Sequence, residues 1–255
     1  MKGFGAFLRK EALETARTWR IWVLPIMLVF FGVTSPLFAK LTPLLLKSIG
    51  TGDSDIVVQL TKPVTYADSY AQWIKNLAQV VLFTVIIASS GMISAEKRAG
   101  TAILVLTKPV SRAGFVVAKI VSNLALLAVA VTLGAVVCWA GTLALFGDAP
   151  AAPLAYGTLL WFVYAALVVS VMALFSALLD GQAGAAGAGI GFYALTSTLS
   201  AWPTATAFNP AVLVGAAAAA MAGHAVVPVG PLLIGSLLVV GCASGAVWAF
   251  EEREL

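Results

Sequence analysis

Six apolar runs, separated by short polar segments, set the rhythm of this chain. They cover Ile21 to Ala39, Asn76 to Ser94, Lys119 to about Phe146, Leu154 to Leu179, Ala183 to Ala201 and Val229 to Phe250. Each approaches or exceeds the roughly 20 residues that a helix needs to cross the hydrocarbon of a bilayer. The pattern therefore predicts six transmembrane helices. The third run is longer than one perpendicular helix requires, so it tilts or lays its first turns in the interface. Pro25 and Pro36 fall near the ends of the first run, where a helix tolerates proline best. Gly134 and Gly141 allow a close helix contact or a bend, and the AGAAGAGIG start of the fifth run lets backbones approach closely.

The segments between the runs carry their own signals. In Met1 to Arg20, Phe4, Phe7, Leu8, Leu13 and Trp19 share part of one helical face, with Arg9, Lys10, Glu14 and Arg17 on the other. This predicts an amphipathic helix on the membrane surface; a merely charged leader is the alternative. Lys40 to Lys75 reads as a loop on the opposite side, with Thr42 to Ile49 a short helical cap. In it Tyr66, Tyr70 and Trp73 serve either the interfacial aromatic belt or ordinary packing. Gly147 to Pro153 reads as an outer turn and Asp180-Gly181-Gln182 as an inner one. Pro203 and Pro210 break the pattern before Ala211 to Met221. That run is too short to span, and reads as a re-entrant or interfacial outer helix before the sixth span.

Composition agrees. The chain is 61% hydrophobic and 10% charged, against about 25% charged in soluble domains. Its net charge of +4 matters by location. Lys2, Arg9, Lys10, Arg17, Arg20, Lys97, Arg98, Lys108, Arg112, Lys119 and Arg253 fall on one side of a six-span plan. Only Lys40, Lys47, Lys62 and Lys75 fall on the other. Basic residues favour the cytoplasm, so both ends are expected inside. The basic residues lack the aromatic interleaving of a single-strand nucleic-acid groove.

Catalytic chemistry is hard to find. His224, the only histidine, has no Cys, Asp or Glu at ligand spacing and reads as an exposed loop residue. Cys138 and Cys242 lie inside apolar runs. Asp148 and Asp180 are isolated in sequence, and no GxxxxGK[ST] phosphate loop occurs. Every charge can be placed in a loop or at an interface, whereas a self-powered carrier usually needs an ionisable group within the membrane.

The informative stretch is Met92 to Lys119, MISAEKRAGTAILVLTKPVSRAGFVVAK, between the second and third runs. Leu60 to Thr65, LTKPVT, is echoed by Leu106 to Ser111, LTKPVS. The two copies fall on opposite sides of the membrane in this plan, so convergence on a turn ahead of a helix is favoured over duplication. Glu96-Lys97-Arg98-Ala99-Gly100-Thr101, then Leu106-Thr107-Lys108-Pro109-Val110-Ser111-Arg112, then Lys119, resembles the signature of ABC-2 type transporter permeases. Lys97 stands where that family usually has Arg.

The resemblance implies an all-α polytopic fold, a single permease domain over 1–255, with an amphipathic helix at 1–20 and a six-helix bundle at 21–255. It implies no catalysis and no cofactor in this chain. ATP and Mg would be bound by a cytosolic ABC ATPase, present in two copies beside two permeases, as a homo- or heterodimer in the inner membrane. Glu96, Lys97, Arg98, Gly100, Thr101, Leu106, Lys108, Pro109, Arg112 and Lys119 would then form the coupling contact. Thr101 would cap a short helix, Ala102 to Thr107, ended by Pro109. Glu96 would pair with Lys97, Arg98 or a base of the N-terminal segment. Phe30, Phe31, Phe83 and Thr84 are candidate pathway-lining residues. Membrane anchoring alone would also explain the basic residues. A non-ABC carrier or channel and a membrane scaffold are the rival readings. Cysteines introduced across 96–112 are expected to react with an impermeant thiol reagent from the cytoplasmic side only; reaction from outside would reverse the topology.

Overall fold

The structure, a computed structural model, describes residues 20–49, 63–99, 111–224 and 227–252. The predicted amphipathic start, the coupling residues Gly100, Thr101, Leu106, Lys108 and Pro109, and most of the LTKPV echo lie outside them. All regular structure among the described residues is helical. Helix α1 is Arg20–Ile49. Helix α2, Tyr66–Asn76, passes through a π-helical turn, Leu77–Val81, into α3, Leu82–Ser89. A short turn leads to α4, Ser94–Arg98. The long helices α5, Arg112–Phe146, and α6, Ala151–Leu178, follow. They are succeeded by α7, Gln182–Leu199, α8, Val212–Met221, and α9, Val229–Glu251.

Five helical stretches among the described residues are long and apolar enough to cross a membrane: Trp22–Pro43, Tyr66–Arg98, Arg112–Phe146, Ala151–Leu178 and Val229–Glu251. The protein is an all-α, multi-pass membrane protein. Helix α7 has 18 residues and is diluted by glycine. Helix α8 has only 10, about 15 Å of rise.

Two sequence expectations change. The stretch after Ala39 is not a loop: α1 continues through Pro36 and Pro43 to Ile49, because the leucines that follow Pro43 favour helix. Tyr66 to Asn76 is also helical. The Asp68 carboxylate accepts the Thr65 N–H at 2.8 Å and so starts that helix. Tyr70 and Trp73 are fully buried in it, so packing rather than an aromatic belt accounts for them.

The bundle is organised on Tyr66–Arg98 and α6, each 67% buried, whereas the spans in α1, α5 and α9 are 28%, 28% and 17% buried. Helix α6 supplies the wholly buried Trp161, Tyr164 and Met172. One end of the bundle gathers the ends of α4, α6 and α9 with the start of α5. At the other end the Tyr70 hydroxyl donates to the Pro150 carbonyl at 3.1 Å, Trp139 Nε1 to Ala149 at 2.9 Å and Lys40 Nζ to Leu145 at 3.1 Å. Gly147 closes α5 there in the left-handed conformation, φ 76°.

Small residues set the helix spacing, as packing in lipid requires. A Cβ on Gly134 would stand 2.7 Å from the Trp73 ring and 2.8 Å from the Leu28 carbonyl oxygen. At Gly157 it would stand 2.8 Å from the Ala217 oxygen, so α8 is seated on α6. Of the α7 glycines, Gly189 packs on Met172 and Ile86, while Gly187 and Gly191 meet nothing within 4 Å. The glycine-rich run thus serves one internal contact and leaves an open small-residue face. Gly134→Val is expected to destabilise the fold by about 1–3 kcal/mol through overpacking. Gly187→Ala is expected to stay within about 0.5 kcal/mol of the parent. Thermal unfolding in detergent reads both.

Candidate functional site

The residues of the 96–119 motif that are described converge at one end of the bundle. The turn before α4 brings the Ile93 and Ser94 N–H groups to Ser176 Oγ, at 2.9 and 3.0 Å. These are amides at a helix start, without intrahelical partners, and a hydroxyl from α6 satisfies them. Three successive side chains then leave α4, one toward α5 and two toward the end of α6. Glu96 forms an ion pair with Lys119 of α5. Lys97 reaches Asp180 at 3.0 Å and the Ala177 carbonyl at 3.2 Å. Arg98 donates to the Asp180 carbonyl at 2.9 Å.

Their environments differ. The Lys119 and Glu96 side chains are 7% and 19% exposed, so removing either leaves the other poorly solvated. Lys119 Nζ also stands 5.0 Å from the centre of the Phe115 ring, which stacks on Phe250 of α9 at 5.1 Å. An ammonium over an aromatic face adds a modest attraction. Asp180 is 83% exposed, so its pair with Lys97 counts for less electrostatically. Lys97 gains more by meeting a carbonyl at the negative end of α6. Ser111 caps α5, accepting the Gly114 N–H at 3.1 Å, and Arg112 Nη1 donates to the Glu251 carbonyl at 2.8 Å. The arrangement binds the end of the second span to the third, fourth and last.

Sequence reasoning sent Glu96 to a neighbouring base or the N-terminal segment; the structure places it against Lys119, 23 positions away. Asp180 was read as isolated, and Ser176 and Phe250 were not singled out. The usable signal for Asp180 was an acid in the inner turn nearest Lys97 and Arg98. Nothing in the sequence pointed to Ser176.

Two of the candidate pathway residues, Thr84 and Phe83, touch other helices. Thr84 Oγ1 lies 3.5 Å from Met27 Sδ of α1, and Phe83 meets the Tyr193 ring of α7 edge-on at 5.2 Å. Phe30 contacts Phe31 at 5.6 Å and is 58% exposed. On the same stretch of helix, Lys75, Gln79 and Phe83 are exposed at positions four apart, forming one stripe. Sequence reading had placed Lys75 in a loop and passed over Gln79. His224 is exposed, just after the left-handed Gly223. Among the described residues no group of three His, Cys, Asp or Glu could hold a metal.

Residues 6–214 match the family described as ABC-2 family transporter protein. The chain is also 25% identical over 214 residues to an uncharacterized transmembrane protein, YxlG, of Bacillus subtilis (strain 168), covering 83% of this chain and 82% of that one.

Lys119→Met is expected to cost roughly 3–5 kcal/mol, toward the lower figure because Glu96 keeps some solvent contact. Combining it with Glu96→Gln is expected to restore much of that loss. Denaturation of the single and double variants measures the coupling; simple additivity would show that the pair contributes nothing.

Proposed function

Because this chain belongs to the ABC-2 transporter family, we propose that it is the membrane-spanning permease of an ATP-driven exporter. In this reading it lies in the cytoplasmic membrane with both ends inside. Helix α7 is the fifth of six spans, its 18 residues giving about 27 Å of rise against a core of about 30 Å. Helix α8 is the re-entrant outer helix, and residues 1–20 form a surface helix.

The observation that carries the proposal is the convergence at the Glu96 end. The segment between Ala99 and Ser111 is flanked by α4, tied to the α6 end through Asp180 and Ser176, and by α5, tied to α9 through Phe250 and Glu251. A force applied to that segment by a cytosolic ATPase reaches several helices at once. Two ATPase copies would grip two permeases there, with Lys108 and Arg112 facing acidic groups.

The exposed stripe of Lys75, Gln79 and Phe83 supports a pathway on this face. An ammonium and an amide within a span face water or protein in preference to lipid. Phe83 of the stripe meets Tyr193 of α7, and Phe30 is exposed on α1. A second permease covering this face would enclose a pathway between the copies. Nucleotide-driven closure of the ATPases would reorient the two halves, moving an apolar or amphipathic substrate outward.

The test is co-purification from native membranes, followed by ATP-dependent flux in vesicles. A cytosolic ATPase is expected to travel with the protein, and Lys108→Glu is expected to weaken that contact roughly tenfold or more. Recovery of the chain with no nucleotide-hydrolysing companion, or unchanged binding by the reversed variant, overturns the proposal.

A further inference from the structure

The π-helical turn Leu77–Val81 interrupts the second span near its middle. Within it the Leu82 N–H bonds to the Leu77 carbonyl, five residues back instead of four. A five-residue step inserted in a four-residue ladder leaves one carbonyl without an amide. In hydrocarbon such a group must find a donor inside the protein. Here the Tyr193 hydroxyl of α7 donates to the Ala78 carbonyl at 2.9 Å. The same ring meets Phe83 at 5.2 Å, one turn further on. Gly189 of α7 lies flush against Ile86 of α3. The α7 helix is thus docked on the second span over the irregular turn itself.

The turn sets register. One extra residue rotates one half of a helix against the other by about 100° and lengthens it by about 1.5 Å. The half above the turn carries Lys75, whereas the half below runs through α3 to Glu96 and its ion pair. Resolving the turn into regular α-helix would swing Lys75 off the face it now shares with Phe83.

We infer that Tyr193 is a positioning residue that clamps this register: its hydroxyl holds the π-helical turn, and its departure with α7 releases the second span to rewind. Single-turn π insertions recur at functional sites in helices. The clamp gives the second span two discrete settings, chosen by how α7 sits. The clamp needs nothing beyond the Tyr193–Ala78 bond and the ring contact with Phe83. Its use in transport rests on the permease reading, in which motion entering at Glu96 would turn the Lys75 stripe.

Tyr193→Phe tests it, because the ring that touches Phe83 stays and only the donor goes. In the full chain, reconstituted in nanodiscs, amide exchange at residues 77–83 is expected to accelerate about five- to tenfold, with other spans unchanged. Impermeant-reagent labelling of K75C and I87C (Ile87 being exposed one turn past Phe83), each with Tyr193 and with Tyr193→Phe, is expected to show position 75 losing reactivity relative to 87 in the Phe background. Unaltered exchange and labelling overturn the clamp. Acceleration spread evenly over all spans also overturns it, since that marks general loosening. Where the clamp behaves as expected but ATP added with a cytosolic ATPase leaves the labelling pattern unmoved, the transport reading fails and the register clamp stands.

Discussion

A half-buried carboxylate facing a buried ammonium governs one end of this molecule. Glu96 lies at the end of the second span and Lys119 two turns into the third; each is costly to bury alone. Together they remove the freedom of two long helices to part at that end. The neighbouring contacts inherit the constraint. With α4 held against α5, Lys97 and Arg98 reach Asp180, and the Ile93 and Ser94 amides reach Ser176. The opposite end is held differently, by hydroxyl, indole and lysine donors on carbonyl oxygens and by the Ser69–Thr142 hydroxyl pair at 2.7 Å. One end is fastened by opposed charges in poor solvent, the other by single-donor bonds.

Between the ends, polar groups are sparse and mostly spent. Tyr164 meets Thr196 at 2.8 Å, and Asn209 uses its amide on the Thr196 carbonyl at 2.7 Å and its oxygen on the Ala211 N–H at 3.0 Å. Thus the irregular stretch ahead of α8 is joined to α7 through one asparagine. Since lipid offers no hydrophobic gain for helix association, such bonds and the notches at Gly134 and Gly157 decide which helices touch. Lys75, Gln79, Gly187 and Gly191 follow a different rule: they lie on open surface, polar or small, where a lipid-facing wall would be bulky and apolar.

Much of the architecture was legible because hydrophobic run length maps directly onto spans. Both chain-reversing turns beside α6 were visible from Gly147, Pro150, Asp180 and Gly181. The boundary after Ala39 was misread because a single lysine, Lys40, suggested the membrane edge. A lysine on a helix can extend to a carbonyl, here that of Leu145, without ending the helix. Likewise, Asp68 and Lys75 made Tyr66–Asn76 look like a loop, although Thr65 and Asp68 also match a helix-start pattern. The basic residues of the candidate site were found from their motif. Their partners were not, because Glu96–Lys119 and Lys97–Asp180 join positions far apart in sequence, and only the packing of helices brings them together. The π-helical turn had no warning in LAQVV, a string that suits an ordinary α-helix equally well.

The family match ends at residue 214, inside α8, so the final helix lies beyond it. Yet that helix contributes Phe250, which backs the ring beneath Lys119, and the Glu251 carbonyl that receives Arg112. The charged knot near the beginning of the third span is therefore roofed by residues made well after it. During synthesis Lys119 emerges more than a hundred residues before its cover. Until that cover arrives, the pair sits in a wetter and weaker setting. The arrival of α9 dries it, so the joint stiffens only once that helix has packed.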